Sequence, residues 1–281
     1  MNNLKTVLLL GLLSGIFLFV GGMIGGQQGM LLALVFAGIM NFISYWFSDK
    51  IVLKNYRAVE LAESEAPRVY AMVRELSQLA RIPMPKVYVI DQDSPNAFAT
   101  GRNPAKATIA LSRGIIQLMG EEELKGVIAH ELSHVINRDT LLATIAATLA
   151  GAVMFLAYQM RWLAFFSGGG RDDNHRGGAM SMLLMAILAP LAATIIQLTI
   201  SRSREYKADA GSAELTHNPE GLASALEKLT YYAKQLPMTA SQQTAHLFIV
   251  SPLSGKSLLT LFSTHPPIEE RVARLRQMRL S

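Results

Sequence analysis

The sequence predicts a membrane protein of the α+β class, in which a small mixed domain is carried by two transmembrane helical hairpins. Three observations predict it. Of the 281 residues 51% are hydrophobic and 17% charged, with a mean hydropathy of +0.27, which is too apolar for an ordinary soluble domain. Four stretches are apolar enough to cross a bilayer, a task that takes about 20 helical residues. Between and after them run segments whose apolar residues alternate as in strands or recur as in amphipathic helices.

In chain order, Thr6 to Gly26 and Met30 to Phe47 are separated by Gln27-Gln28-Gly29, which predicts a tight hairpin over residues 1–50. The first apolar run exceeds the roughly 7–15 residues of a signal-peptide core, and no small-x-small site follows it, so an uncleaved anchor is expected. Gly11, Gly15, Gly21 and Gly25 have the small-residue spacing of close helix contacts. Lys5 precedes the first span and Lys50, Lys54 and Arg57 follow the second, which places the N-terminus and the main domain in the cytoplasm. A second hairpin, 141–201, is expected from Leu141 to Leu156 and Ala179 to Ile200 around the loop Gly168 to Asp173. Its polar Thr144, Thr148 and Gln159, and the outward placement it gives Arg161, Arg171 and Arg176, leave a re-entrant or buried pair as the alternative.

Between the hairpins, residues 51–140 read as a small α+β unit. Val59 to Leu79 has a helical pattern, with Pro67 starting a second segment. Lys86 to Ile90 and Ala107 to Leu111 alternate as strands, with Asn96 to Thr100 between them ahead of the Gly101-Arg102-Asn103-Pro104 turn. Gly120 and the acidic Glu121-Glu122-Glu123 open a helix running to Ala129 and beyond. In the last unit, 202–281, His217-Asn218-Pro219 starts an Ala- and Leu-rich helix, Pro237 to Lys256 suits a loop or lid, and Ile268 to Met278 is a basic amphipathic helix.

The helix opened by Gly120 ends in His130-Glu131-Leu132-Ser133-His134, the H-E-x-x-H pattern of zinc proteases. Residues four apart share a helical face, so His130 and His134 can aim imidazole nitrogens at one ion, while Glu131 is left to handle water. A catalytic zinc keeps one open position and lowers the pKa of water there towards about 7. Hydrolysis is the natural reaction. The site needs a third ligand, and Glu205 supplies it, with Asp209 on the same helical face accepting the distal N–H of a ligand histidine. One Zn2+ per chain is expected. Two crossings between His130 and Glu205 would return the chain to the face it left, so the metal would sit within a few turns of the bilayer.

Pro95 to Thr100, His130-Glu131-x-x-His134, Ser203-Arg204-Glu205-Tyr206-x-Ala208-Asp209 and Thr264-His265-Pro266-Pro267 together resemble the HtpX membrane metalloproteases. The likeness covers essentially the whole chain, with the motifs in the family's order, and extends more distantly to the CAAX prenyl proteases. It implies a zincin-like metalloprotease domain and a zinc endopeptidase of a bacterial-type inner membrane. The implied task is to cut misfolded or damaged membrane proteins on the cytosolic side, as membrane-protein quality control under stress. By family position it also assigns Asn96 to Thr100 to the pairing edge for an extended substrate, and His265 and Arg271 to steadying the oxyanion.

The chain has no cysteine, which excludes disulfides and thiolate-bound zinc and fits a reducing compartment. Its net charge of +5 suits contact with anionic headgroups and does not imply nucleic-acid binding. No P-loop glycine pattern is present, so no ATP use is expected, and the oligomeric state stays open. Two alternatives to a broad endopeptidase are a zinc-stabilised adaptor that binds unfolded segments without cutting, and a narrow-specificity processing enzyme of the prenyl-protease type. An intact Glu131 argues against the adaptor, since structural zinc sites need no base.

Overall fold

The computed structural model describes residues 2–150, 153–154, 202–235, 249 and 266–279. Two apolar helices lead the chain. They form α1 (Asn2–Asn55), which breaks at Gly25 and Gly26 and contains two stretches long enough to span a bilayer, Leu4–Gly22 and Gly25–Phe47. At the break Gly26 adopts φ 57°, ψ −139°, a region essentially reserved for glycine. The reversal therefore falls at Gly25-Gly26, not at the polar Gln27-Gln28-Gly29, whose residues already lie in the second helix. Polarity suggested the turn, but backbone freedom decides it.

The two halves of α1 lie side by side. A Cβ on Gly21 would stand 2.5 Å from the Ala33 Cβ and 2.6 Å from the Gly29 carbonyl oxygen, and Asn41 Nδ2 donates to Ser14 Oγ at 2.9 Å. Of the small residues expected at close contacts, Gly21 is used in this way, whereas Gly11 and Gly15 face open space. Leu32, Phe36, Ile39 and Phe42 present apolar side chains outward, as a helix facing lipid does.

Beyond Phe47 the helix continues to Asn55, and the expected helix from Val59 begins later. Val59–Glu60 is instead a two-residue strand, β1, because Val59 and Glu60 pair with Val89 and Tyr88 and Lys86 Nζ binds Glu60 at 2.9 Å. The helix α2 (Pro67–Leu79) starts at Pro67, whose missing N–H costs nothing at that position. Then come β2 (Lys86–Ile90), β3 (Ala97–Thr100) and β4 (Thr108–Ser112), the last one residue later than the spacing predicts because Pro104–Lys106 forms a short turn ahead of it. The sheet order is β1-β2-β4-β3, with β2 and β4 parallel and the outer pairs antiparallel. This puts β3 at an edge.

A short α3 (Arg113–Leu118) leads into α4 (Glu121–Ile136). Leu124, Val127, Ile128 and Leu132 of α4 share one buried cluster with α2 and the sheet. A further apolar helix, α5 (Asp139–Ala150), packs Leu142, Ile145, Ala146 and Leu149 on Leu9, Leu13, Phe17 and Ala37 of α1. The rest of the expected second hairpin, 151–152 and 155–201, lies outside the described residues, as does most of the expected loop or lid 237–256. The chain resumes with α6 (Arg202–Thr216), α7 (Pro219–Gln235) and α8 (Ile268–Gln277). Both α6 and α7 pack on α4. The close approach needs Gly126, where a Cβ would lie 2.7 Å from the Leu222 backbone nitrogen, and Ser212 of α6 donates to the Gly126 carbonyl at 2.8 Å.

Candidate active site

The acidic first turn of α4 is tied by the Gly120 N–H donating to Glu123 Oε2 at 2.8 Å, and two turns later the helix buries His130 and Glu131. The helix stops at Ile136, and Arg138, with φ 56°, turns the chain so that Asp139 reaches back. His134 Nδ1 then lies 3.3 Å from Asp139 Oδ2. The other histidine is held from the opposite side. His130 Nδ1 is 3.0 Å from Asp209 Oδ1 of α6, at hydrogen-bond distance though off the line of the N–H.

With each Nδ1 facing a carboxylate, each Nε2 is left to face Glu205. Glu205 Oε2 is 3.8 Å from His130 Nε2, and Oε1 is 3.6 Å from His134 Nε2. The candidate ligand atoms of His130, His134 and Glu205 all lie within 4.8 Å of one another. A tetrahedral ion with ligands at about 2.0–2.1 Å separates them by roughly 3.4 Å, so a small inward movement would suffice. The packing of α6 on α4 brings together three side chains that the sequence placed on two separate helices, without any cysteine in the set.

The charge balance also favours a cation. Burial opposes a charge on His134, yet Asp139, Glu205 and Glu131 outweigh it and hold the pKa up at about 9. For His130, burial dominates and lowers it to about 4, with Asp209 opposing and Arg271 assisting. Burial raises the Glu131 carboxyl to about 7; Glu205 pushes the same way, while His134, the Ala99 N–H and Arg271 pull it down.

Arg271 of α8 is wholly buried. Its Nε and Nη2 clamp Asp209 at 2.9 and 2.6 Å, and its Nη2 comes within 3.5 Å of His130 Nε2. The oxyanion role expected of it therefore competes with a grip on Asp209. His265, its expected companion, lies outside the described residues. Asp139 is not among the residues singled out from the sequence, where an aspartate five positions after His134 is its only signal. Arg204 Nη1 approaches it at 3.5 Å.

Strand β3 runs alongside. Ser112 donates to the Asn96 carbonyl at 2.9 Å, and antiparallel partners alternate in which way their backbone groups point. Within the register Ala97↔Leu111 and Ala99↔Ile109, the N–H and C=O of Ala97 and Ala99 consequently face away from β4. Asn96 Oδ1 accepts from the Ala97 N–H at 3.0 Å, and the Ala99 N–H reaches Glu131. The outward edge of β3 thus lies against the candidate base.

The family model for Peptidase family M48 matches residues 63–279. The chain belongs to peptidase family M48. It is 58% identical over 275 residues to a "Protease HtpX homolog" of Desulfatibacillum aliphaticivorans, covering 98% of this chain and 89% of that protein. A homologue of the same name from Syntrophobacter fumaroxidans is 55% identical over 280 residues, covering 99% of each. The fold is similar to the crystal structure of S. mikatae Ste24p, with TM-score 0.52 and 20% identity over 96% of this chain; the match spans 64% of that structure's length. As an M48 peptidase with two apolar N-terminal helices, the chain is a membrane metalloprotease.

Proposed function

We propose that this M48 peptidase is a zinc endopeptidase that hydrolyses unfolded or damaged membrane proteins at the cytosolic surface of the membrane. The observation that carries the reading is the meeting, at one point, of three converging ligand atoms, the buried Glu131 and an outward strand edge. His130, His134 and Glu205 would hold the ion, which when bound supplies Lewis acidity to a carbonyl oxygen and acidifies water. Glu131 takes the proton of the attacking water and passes it to the leaving amine. Asp209 and Asp139 hold the two imidazoles in the tautomers that leave Nε2 free to ligate. The outward carbonyls of Ala97 and Ala99 are the groups with which an extended substrate would pair, since their N–H groups are taken by Asn96 and Glu131.

Location supports a membrane-boundary substrate. Beyond the end of β3, Thr140 Oγ1 of α5 donates to the Gly101 carbonyl at 3.0 Å, and Thr100 Oγ1 lies 3.0 Å from Thr144 Oγ1. The Arg102 guanidinium stacks 4.2 Å over the Trp46 ring, in an aromatic and cationic setting like that of a bilayer interface. The pairing edge is thereby fastened to the apolar helices. In this proposal residues 1–50 are an N-terminal transmembrane hairpin, 51–140 and 202–281 form the catalytic part, and 141–201 are an inserted second hairpin, either spanning or re-entrant.

The test of function is the appearance of new amino termini when the purified protein meets an unfolded polypeptide; an untouched polypeptide would leave the adaptor reading standing. Two further results are expected. Asp139, Glu205 and Glu131 hold the His134 pKa up at about 9, and zinc must displace that proton, so apparent zinc affinity should rise with pH, by up to about tenfold per unit, between about pH 6 and pH 8; an affinity flat in pH would contradict a protonated His134 in the metal-free site. For orientation, a cysteine replacing Gln28 should react with an impermeant external reagent and one replacing Gln92 should not, and the reverse pattern would invert the topology. The same reagent applied to a cysteine at Asp173 reports whether 141–201 crosses fully.

A further inference from the structure

Arg102 stands in the turn directly after β3, and its guanidinium lies 4.2 Å over the ring of Trp46, at the end of the second apolar span. Gly101, with φ 128°, turns the chain out of the sheet, and the Lys106 N–H closes the turn on the Asn103 carbonyl at 3.0 Å. The indole is flanked by Tyr45 and Phe42, with ring centroids 5.6 and 6.0 Å away, yet it stays 45% exposed. One helical turn further on, Lys50 Nζ lies 5.5 Å from the Phe47 ring.

The charge at this junction is one-sided. Arg68, Arg74, Arg113 and Arg276 each meet a carboxylate, at distances between 2.7 and 3.5 Å. Arg102 has no acidic partner among the described residues, and no Asp or Glu occurs from residue 94 to residue 120. Asp49 is the single acid of α1, against Lys50 and Lys54 in its last turns. Stacking on an indole occupies only the face of a guanidinium, so the N–H edge of Arg102 stays available as a fork that fits two oxygens of a phosphate. Beside it, Ile39 and Phe42 present apolar side chains outward along the span. A molecule that matches the whole surface therefore carries an anion at one end and hydrocarbon at the other.

We infer that an anionic phospholipid sits at this junction, with its headgroup phosphate on Arg102 and Lys50 beside the Trp46 ring and its acyl chains along the second span. The lipid bridges the membrane helix and the turn that ends β3, so headgroup charge holds the sheet against the bilayer. An acidic peptide or a nucleic acid would satisfy the cations and leave the apolar side unmatched. The inference rests on α1 crossing the membrane and not on the catalytic reading.

The chain has two tryptophans, so Trp162→Phe makes Trp46 the sole emitter of the full-length protein. Its fluorescence is followed in phosphatidylcholine vesicles containing phosphatidylglycerol, with bromine on the acyl chains of one lipid or the other. Quenching should show phosphatidylglycerol favoured at Trp46 by about fivefold or more, the preference that one cation at a membrane surface supplies. In the same background Arg102→Gln should lower that preference about fivefold and Lys50→Gln should lower it too, whereas Arg68→Gln, on α2, should leave it unchanged. Inorganic phosphate added to pure phosphatidylcholine vesicles should leave Trp46 emission as chloride does at equal ionic strength. Equal quenching by the two brominated lipids would overturn the inference. So would a preference that survives Arg102→Gln, or one that Arg68→Gln lowers equally, since general charge would then explain it. A response to inorganic phosphate would mark a free-anion site and overturn the lipid assignment. Should Arg102→Gln fail to fold, the exposed Lys50 decides, and an unchanged preference in Lys50→Gln would overturn the inference.

Discussion

Glu131→Gln is expected to keep one zinc per chain and to lose peptide-bond hydrolysis by about 10²–10⁴-fold, the contribution typical of a positioned general base. Glutamine matches glutamate in shape, and its amide oxygen can still accept from the Ala99 N–H, so the packing of a side chain only 2% exposed is preserved. What disappears is the capacity to take a proton. Burial raises that carboxyl to about 7, which suits a base working near neutral pH. None of the candidate ligand atoms belongs to Glu131, so metal analysis and melting temperature should match wild type. Activity above about a hundredth of wild type in a folded, zinc-loaded variant would remove Glu131 from the base role.

Glu205→Ala is expected to strip zinc as severely as His134→Ala. Its two carboxylate oxygens stand 3.6 and 3.8 Å from the two Nε2 atoms, so its loss leaves two imidazoles and nothing on the third side. Asp209→Asn should be milder, weakening zinc affinity about 10–100-fold, because it acts through His130. Asparagine is the better probe here than alanine. Asp209→Ala would leave the fully buried Arg271 without its counter-ion, and breaking a buried pair from one side costs about 3–5 kcal/mol of stability. Metal analysis with a melting control separates these cases. Normal zinc in Glu205→Ala would move the third ligand elsewhere.

The two ligand-bearing helices were legible because their chemistry is local. A spacing of four fixes the shared face of His130 and His134, and again of Glu205 and Asp209, before any tertiary contact is known. Strand β2 was readable with its bounds for the same reason, its alternation being intact from Lys86 to Ile90. Long-range pairings were not readable in this way. Arg271 meets Asp209 across 62 positions, and nothing in either segment announces the other, so the arginine was assigned to the oxyanion by resemblance alone. Asp139 depends on a left-handed turn at Arg138, a conformation its sequence does not advertise. Strand β1 is two residues long and exists only because β2 lies beside it, whereas the surrounding pattern is helical. The hairpin turn in α1 followed glycine's backbone freedom, where the polar Gln27 and Gln28 had pointed two residues further on.

The most direct measurement is the rate of peptide-bond hydrolysis against bound zinc on one preparation of full-length protein, stripped of metal and titrated back with an unfolded polypeptide as substrate. The account predicts no new amino termini from the stripped protein and a rate that rises in proportion to zinc until one ion is bound per chain. Undiminished cleavage by metal-free protein, or none at full zinc occupancy, would contradict it.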